Sequence, residues 1–443
     1  MEPTRTRLTD TLVVFCGGTG MHWFAKSVPL NSRITFIVPS TDNGGSSRAI
    51  IDAIGGPAVG DLRNISLAVA RSMQENNSDK REPSLVSILG RRLTAAGNAR
   101  AELDEVMDGV PGLISAPLWR FIRAAPSGFD FRGACVGNLV LAGMMLESMC
   151  APFAAFAEAA VRFTHDLLRI PKTIRICPAC EFIPEVTSGP NPHLLLPRLD
   201  LYLRFEDGAE INGQTAISYG VDGGVKDGSR ANDDEPTASP ERLWVEIAGS
   251  LEPAASLSST TKKSTDESPD RALLPYCVVL GCGSFLTSTL ASAATVRVRL
   301  PENARITLFL NATTDRETSF AFRGTHANDC TCAHRLSDNP VVRLARVARR
   351  CITWLREIPS VGFYLVVCAK GSAFEDGVQL LDELSSRQSN SRREVCGNCD
   401  CQLREGGLVS TIFLVAEGSR GYFDSTRVMS RVWPYVWDNG SHL

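Results

Sequence analysis

The sequence predicts an α/β fold of three layers, in which helices cover both faces of a mostly parallel sheet. Residues 11–15 (TLVVF) and 34–38 (ITFIV) are short, buried-type apolar runs that end in glycine or polar turns, as strands of a parallel sheet do. From Leu62 to Met73, apolar residues repeat at helical spacing. Strands that are followed by a turn of small residues and then by a helix are typical of a doubly wound sheet.

The rest of the chain continues this alternation. Residues 84–165 have a largely helical pattern, and Gly137-Asn138 heads the apolar helix 139–149. Shorter strands are predicted at 181–186, 199–205 and 243–247, and a second α/β block has strands at 276–280, 306–310, 363–368 and 411–415 and a helix at 341–355. Polar segments 221–241 and 256–271 are predicted to be disordered surface inserts. We therefore predict one domain over residues 1–443, with a core of about 11–370 and a C-terminal extension.

Composition narrows the class of protein. The formal charge of −3 provides no basic excess for a nucleic-acid partner, and no apolar run reaches the length of about 20 residues that a membrane span needs. The first residues, MEPTRTRLTD, lack the apolar core of a secretory signal, so a cytoplasmic location is expected. The 14 cysteines are accordingly expected to be reduced thiols.

Three turn motifs in the first 64 residues are candidate phosphate sites. The first, after residue 15, offers backbone amides and a helix start, although a tight turn without a ligand is an equal alternative; it comprises Gly17, Gly18, Thr19 and Gly20. The second combines a carboxylate, amide, hydroxyls and flexible backbone that suit a divalent metal or a ribose and its phosphates; it comprises Asp42, Asn43, Gly44, Gly45, Ser46 and Ser47. An acid at Asp42 also fits a nicotinamide-dinucleotide site, but the third glycine of that motif is missing.

The third motif places Asp61, Arg63 and Asn64 on the first turn of one helix. Asp61 by itself is an ordinary helix cap, whereas Arg63 beside it offers a fork of donors to a phosphate. The carboxylates of Asp42 and Asp61 could share one Mg²⁺, which typically uses one or two protein carboxylates together with substrate oxygens. Further candidate binding residues lie at helix starts and strand ends later in the chain: Gly137, Asn138, Gly283, Ser284, Thr287 and Asn311.

In order, these motifs resemble those of the CofD family of 2-phospho-L-lactate transferases, and most closely its YvcK-like branch of gluconeogenesis factors. That branch has the pattern GGGTG, ADDGGSSG, PPGDIRN, GHxxGNL, GPGSLYTS and CNLMTQPGET. The chain has CGGTG at 16–20, TDNGGSSR at 41–48, VGDLRN at 59–64, GACVGNL at 133–139, GCGSFLTS at 281–288 and LNATTDRET at 310–318. The resemblance spans about residues 11–370. Asn43, Ala134, Cys282 and Leu286 depart from the pattern.

The resemblance implies a Rossmann-like CofD fold with its site at the carboxyl ends of the strands. In transferase members, a deazaflavin alcohol attacks a nucleoside-diphosphate-linked phospholactate or related donor with Mg²⁺ assistance, and a nucleoside monophosphate is released. Asp42 and Asp61 would then be the catalytic and metal-binding carboxylates, and the glycine turns with Ser46 and Asn138 would line the nucleotide path. YvcK-like members instead resemble nucleotide-sugar-binding regulators without known catalysis. A third alternative is an interaction protein that has kept the fold and lost the ligand.

Three further patterns have competing interpretations. The loops around Cys330-x-Cys332-x-His334 and Cys396-x2-Cys399-x-Cys401 have the spacing of a structural zinc site, but two exposed cysteine-rich loops are the favoured interpretation. Cys177 and Cys180 have the spacing of a redox pair without its usual context, and His22 is placed either in the pocket or on a helix surface. A homodimer is one possible assembly of the chain.

Overall fold

A parallel sheet forms the centre of the computed structural model, which describes residues 12–17, 21–41, 44–75, 85–94, 98–148, 151–183, 196–219, 240–247, 253–258, 277–281, 285–296, 305–311, 317, 363–369 and 409–416. Seven strands of these residues form it: β1 (Leu12–Phe15), β2 (Ile34–Val38), β3 (Ile174–Pro178), β8 (Cys277–Leu280), β9 (Arg305–Asn311), β10 (Phe363–Ala369) and β11 (Val409–Ala416). Every neighbouring pair is parallel, in the order β11-β10-β9-β8-β1-β2-β3. The α/β prediction is confirmed.

The strand order reverses direction beside β1. The chain first builds outward from β1 through β2 to β3, and then returns to pair β8 with the other edge of β1. Phe15, at the end of β1, is in register with Ile37 on one side and Leu280 on the other. In open α/β sheets, the crevice at the carboxyl ends of the strands beside such a reversal is where ligands bind.

Helices pack around this sheet and against one another. The first half contains α1 (His22–Lys26), α2 (Gly45–Ile54), α3 (Gly60–Glu75), α4 (Leu85–Gly90), α5 (Ala99–Asp108), α6 (Gly112–Ala124), α7 (Val136–Met145) and α8 (Pro152–Val161). Every residue of α7 is buried, which explains why its sequence is apolar on all sides. A π-helical segment (Arg162–Leu167) extends α8. The largely helical region that the sequence predicts at 84–165 is therefore confirmed.

A second, antiparallel sheet follows β3. It contains β4 (Leu199–Phe205), β5 (Glu210–Asn212), β6 (Pro240–Ile247) and β7 (Pro253–Ser258) in the order β5-β4-β6-β7. Along β4, fully buried residues alternate with half-buried ones, so one face of the strand belongs to the core. A short helix, α9 (Gln214–Tyr219), follows β5, and α10 (Ala291–Val296) packs near β6 and β7.

The structure differs from the predicted elements between β2 and β4. The strand expected at 181–186 is wrong, because the chain forms β3 at Ile174–Pro178 and then a 3-10 turn at Ala179–Phe182. β6 begins at Pro240 and β7 ends at Ser258, so the edges of both predicted inserts are strands. The remainder of those inserts and the predicted helix at 341–355 lie outside the described residues. β11 extends the main sheet beyond the predicted core boundary.

Candidate functional site

The turn after β1 brings the two halves of the chain into contact at Gly17. A side-chain Cβ at this position would lie 2.2 Å from Ser288 Cβ and 2.4 Å from Ser288 Oγ. The same Cβ would lie 3.2 Å from Oδ2 of Asp61. Only glycine fits here, because the Cβ and hydroxyl of Ser288 and the carboxylate of Asp61 occupy the space of a side chain. The next three candidates of this turn, Gly18, Thr19 and Gly20, lie outside the described residues.

Asp61 and Arg63 are both buried in the first turn of α3. Their exposed fractions are 3% and 5%. Nη1 of Arg63 donates to Sγ of Cys135 at 2.7 Å, and its Cγ lies where it would contact a side chain at Gly137. Burial lowers the pKa of Arg63, and the neighbouring Cys135 and Asp61 oppose that change. The sequence predicts a phosphate partner for Arg63, whereas the structure directs one of its nitrogens to a thiol; Asn64 is half-buried on the same turn.

The motifs at residues 41–48 and 133–139 meet at the start of α2. Nδ2 of Asn138, near the beginning of α7, donates to Oγ of Ser46 at 2.9 Å. Asn138 is 1% exposed, Ser47 is also buried, and Gly44 caps α2 with extended backbone before Gly45. Two motifs that are 92 positions apart thus form one surface at the helix start. Asp42 and Asn43, which precede it, lie outside the described residues.

A buried carboxylate fixes the turn that follows β8. Residues Phe285–Leu290 form a π-helical segment, and Glu317 accepts hydrogen bonds from N of Thr287 at 3.2 Å and from its Oγ1 at 2.7 Å. Oγ of Ser218, from α9, also donates to Glu317. Thr287 is a predicted site residue, but its role here is to bind Glu317. Gly283 and Ser284 lie outside the described residues, and of Asn311 the structure describes only the backbone, at the end of β9.

Four polar residues at the turn after β8 are not among the site residues that the sequence predicts: Gln214, Ser218, Ser288 and Glu317. Ser288 and Glu317 lie within the matched segments 281–288 and 310–318, so the motifs themselves contained a signal for them. Gln214 and Ser218 are in no motif. Their place at the site depends on how the second sheet packs, which the local sequence does not reveal.

Several buried polar atoms in these motifs, or on side chains that contact them, lack a hydrogen-bond partner among the described residues. They are Oγ1 of Thr41, Nε of Arg63, Oδ1 of Asn138 and Oε1 of Gln214. Thr41 follows β2, and the other three side chains contact residues of the motifs described above. Buried polar groups in folded proteins nearly always have partners, and exceptions point to a function or a missing ligand. Their grouping at the carboxyl ends of the strands indicates a polar ligand site.

Comparison with known proteins identifies the family of this chain. The family model described as 2-phospho-L-lactate transferase CofD matches residues 12–335. The chain belongs to the CofD family. It is 26% identical over 249 residues to the uncharacterized protein YNL011C of Saccharomyces cerevisiae. The aligned region covers 50% of this chain and 48% of the yeast protein. The chain therefore spans about half the length of the curated relative that it matches.

Two solved structures were found to be similar to this CofD-family chain. One is the X-ray structure of protein BH3568 from Bacillus halodurans, with a TM-score of 0.48 and 16% identity. The other, a crystal structure of the same protein described as a UPF0052 family member, has a TM-score of 0.49 and 17% identity. Each comparison covers 96% of this chain and 99% of the other.

The candidate residues offer oxygen atoms, which are the ligands that Mg²⁺ prefers over the nitrogen and sulfur ligands of transition metals. Among the described residues these oxygens are the buried Asp61 carboxylate and the hydroxyls of Thr41 and Ser46. No group of three or more His, Cys, Asp and Glu side chains within the described ranges is placed to hold a metal ion. A magnesium ion that takes its remaining ligands from phosphates and water does not need such a group. Both cysteine-rich loops of the zinc prediction lie outside these ranges.

The structure also tests the predictions for His22 and for the cysteine pair Cys177 and Cys180. Nε2 of His22 lies 3.3 Å from Nη1 of Arg71 on α3, and burial, followed by the charge of Arg71, lowers the pKa of His22. His22 therefore packs between helices α1 and α3. Cys177 and Cys180 are buried and form no disulfide, and burial raises the pKa of Cys177 to about 12, which does not suit a redox thiol. Across the described helices, none combines the length and apolar character needed to cross a membrane.

Proposed function

We propose that the chain transfers a phospho group from a nucleotide-linked donor in a reaction like that of 2-phospho-L-lactate transferase. The observation that carries the proposal is the set of buried polar atoms without hydrogen-bond partners among the described residues, on side chains that belong to the motifs or contact them. A nucleotide-linked donor is polar along its whole length and would supply partners to such atoms. Membership in the CofD family supports transfer as the type of reaction.

The start of α2 is the proposed phosphate site. Gly44, Gly45, Ser46 and Ser47 provide backbone amides at the amino end of a ten-residue helix. The helix dipole and the free amides of its first turn favour an anion there. Asn138 holds the Ser46 hydroxyl in place at 2.9 Å, so that this end of the site is ordered before the ligand binds.

Asp61, with Asp42, is the proposed magnesium-binding pair. Magnesium, when bound, would neutralise charge on the donor phosphates. Arg63 is two positions after Asp61 in the first turn of α3, and its buried charge would add to the positive potential at the phosphates. Phosphoryl transfer needs alignment and charge neutralisation more than a protein nucleophile. The acceptor alcohol would form the new O–P bond, and the nucleoside monophosphate would leave.

Ligand screening by thermal shift tests this proposal. GDP, GTP and UDP-sugars would be added to the full chain with and without Mg²⁺, and a ligand at about a hundred times its dissociation constant stabilises a protein by roughly 2.7 kcal/mol. A magnesium-dependent shift with a guanine nucleotide supports the transferase. A metal-independent shift with UDP-sugars alone supports a regulator that binds nucleotide sugars without catalysis, and the absence of any shift contradicts both.

Two variants test whether Asp61 acts through the metal or only through its charge. Asp61→Asn should abolish the magnesium dependence and weaken nucleotide binding. Asp108→Asn, at the exposed end of α5, is the matched control and should leave both unchanged. If Asp61→Asn bound nucleotide as tightly as the wild type and with the same magnesium dependence, Asp61 would have no role in metal binding.

A further inference from the structure

The second sheet reaches the candidate site through α9. Gly213 precedes this helix with a φ of +90°, and its backbone N donates to O of Leu201 on β4 at 2.7 Å. This turn sets the direction of α9, whose first residue is Gln214. Along α9, Gln214 and Ser218 are one helical turn apart, and both contact the π-helical segment after β8.

Gln214 has one satisfied and one unsatisfied polar atom. Its Nε2 donates to Oγ of Ser288 at 3.4 Å. Its Oε1 is buried without a hydrogen-bond partner among the described residues, and only 8% of the residue is exposed. An amide oxygen sealed from water in this way is a strong acceptor that a ligand donor can satisfy.

Ser288 connects Gln214 to the turn at Gly17 and to Asp61, the proposed magnesium ligand. The hydroxyl that accepts from Gln214 is also the atom that would lie 2.4 Å from a Cβ at Gly17, beside Asp61. One side chain therefore separates Gln214 from the glycine turn. A ligand whose phosphates bind at Gly17 and at a metal on Asp61 would place the adjoining group within reach of Gln214.

The charge on this side of the site selects against a second anion. Glu317 is 1% exposed and binds Thr287 and Ser218, which flank Ser288 and Gln214 along their helical segments. Its carboxylate and the Gln214 oxygen are both acceptors. Hydroxyl groups on an uncharged moiety match this environment, whereas phosphate oxygens do not.

We propose that Gln214 is a specificity-determining residue that accepts a hydrogen bond from a ribose hydroxyl of the bound nucleotide. The inference rests on the proposed function, since it presupposes a nucleotide whose phosphates lie near Gly17 and Asp61. Ribose is the hydroxyl-bearing, uncharged part of a nucleotide that adjoins its phosphates. The antiparallel sheet thus contributes directly to ligand selection.

The test compares the binding of three ligands by isothermal titration calorimetry in the presence of Mg²⁺: GDP, 2′,3′-dideoxy-GDP and pyrophosphate. Gln214→Met keeps the length of the side chain and removes its acceptor. Gln74→Met, on the exposed end of α3, is the matched control. Wild-type protein should bind GDP about tenfold more tightly than its dideoxy analogue, as expected for a lost hydrogen bond in a buried site. Gln214→Met should lose this preference while its affinity for pyrophosphate stays unchanged.

The outcomes separate the inference from the proposed function. If Gln214→Met keeps the wild-type preference for GDP over its dideoxy analogue, the inference is wrong and the proposed function stands. An equal loss of affinity for all three ligands, pyrophosphate included, would assign Gln214 a purely structural role and also overturn the inference. If wild-type protein binds none of the three ligands, the proposed function fails, and the inference fails with it.

Discussion

Replacing Gly17 by alanine should destabilise the protein through a contact that the structure defines. The new Cβ would lie 2.2 Å from Ser288 Cβ, whereas carbon atoms prefer a separation of about 3.5 Å or more, so one backbone segment must move by about 1.3 Å. Rotating the serine hydroxyl cannot relieve this overlap, because Cβ is fixed to the backbone. Overpacking of this kind costs about 1–3 kcal/mol in the free energy of unfolding.

Two second-site changes test whether Ser288 is the cause. Ser288→Ala removes the hydroxyl but keeps Cβ, so it should not rescue Gly17→Ala. Ser288→Gly removes Cβ and should recover most of the loss, although glycine in a helical segment itself costs about 1 kcal/mol. Gly112→Ala is the control, since nothing lies within 4 Å of a Cβ at that position.

Urea unfolding, followed by tryptophan fluorescence and circular dichroism, measures these changes. The two single variants and the double variant form a cycle, and a coupling of about 1 kcal/mol or more is expected for residues in contact. Strict additivity of Gly17→Ala and Ser288→Gly would refute the contact. So would a Gly17→Ala protein as stable as the wild type.

Three other predictions concern packing, reactivity and binding. Gly143→Ala should destabilise the protein by about 1–3 kcal/mol in urea unfolding, because a Cβ there would lie 1.9 Å from the backbone O of Pro117 and force α6 away from α7; unchanged stability would contradict this packing. The Cys177 thiol, with a pKa of about 12, should stay protonated and resist alkylation at pH 8 in the folded protein, as peptide mapping with and without denaturant would show; rapid labelling in the folded protein would disprove its burial. Asn138→Ala should weaken nucleotide binding about tenfold in calorimetry by releasing Ser46, and an unchanged affinity would exclude that role.

The parts of the fold that the sequence predicts are those with a local signal. β1 and β2 are continuous apolar runs, and each pairs in parallel as expected. β3 was missed because Arg175 interrupts its apolar run. In the structure that arginine forms an ion pair with Glu181, at the start of the strand expected there. A charge whose partner comes from the following turn hides a buried strand from a pattern based on hydrophobicity.

For the candidate site too, the residues that the sequence predicts are those with a local signal. Asp61 and Asn138 are identified from motifs at helix starts, and the structure buries both beside the turns that they were expected to join. Gln214 was missed because its role depends on the placement of α9 against Ser288, a contact 74 positions apart. Arg63 was expected at a phosphate, but its bond to Cys135 depends on how α3 packs against the start of α7.

The pairing of β1 with β8 has a consequence for biosynthesis. Leu12 leaves the ribosome long before its partner Cys277, and at about 5–20 residues per second the delay is roughly 13–50 s. During this interval one edge of the apolar β1 has no strand beside it, in a growing chain that already contains β2 and β3. Exposed strand edges recruit other chains, so this protein should depend on chaperone protection while it is being made. Synthesis that stops before β8 should give an aggregating fragment.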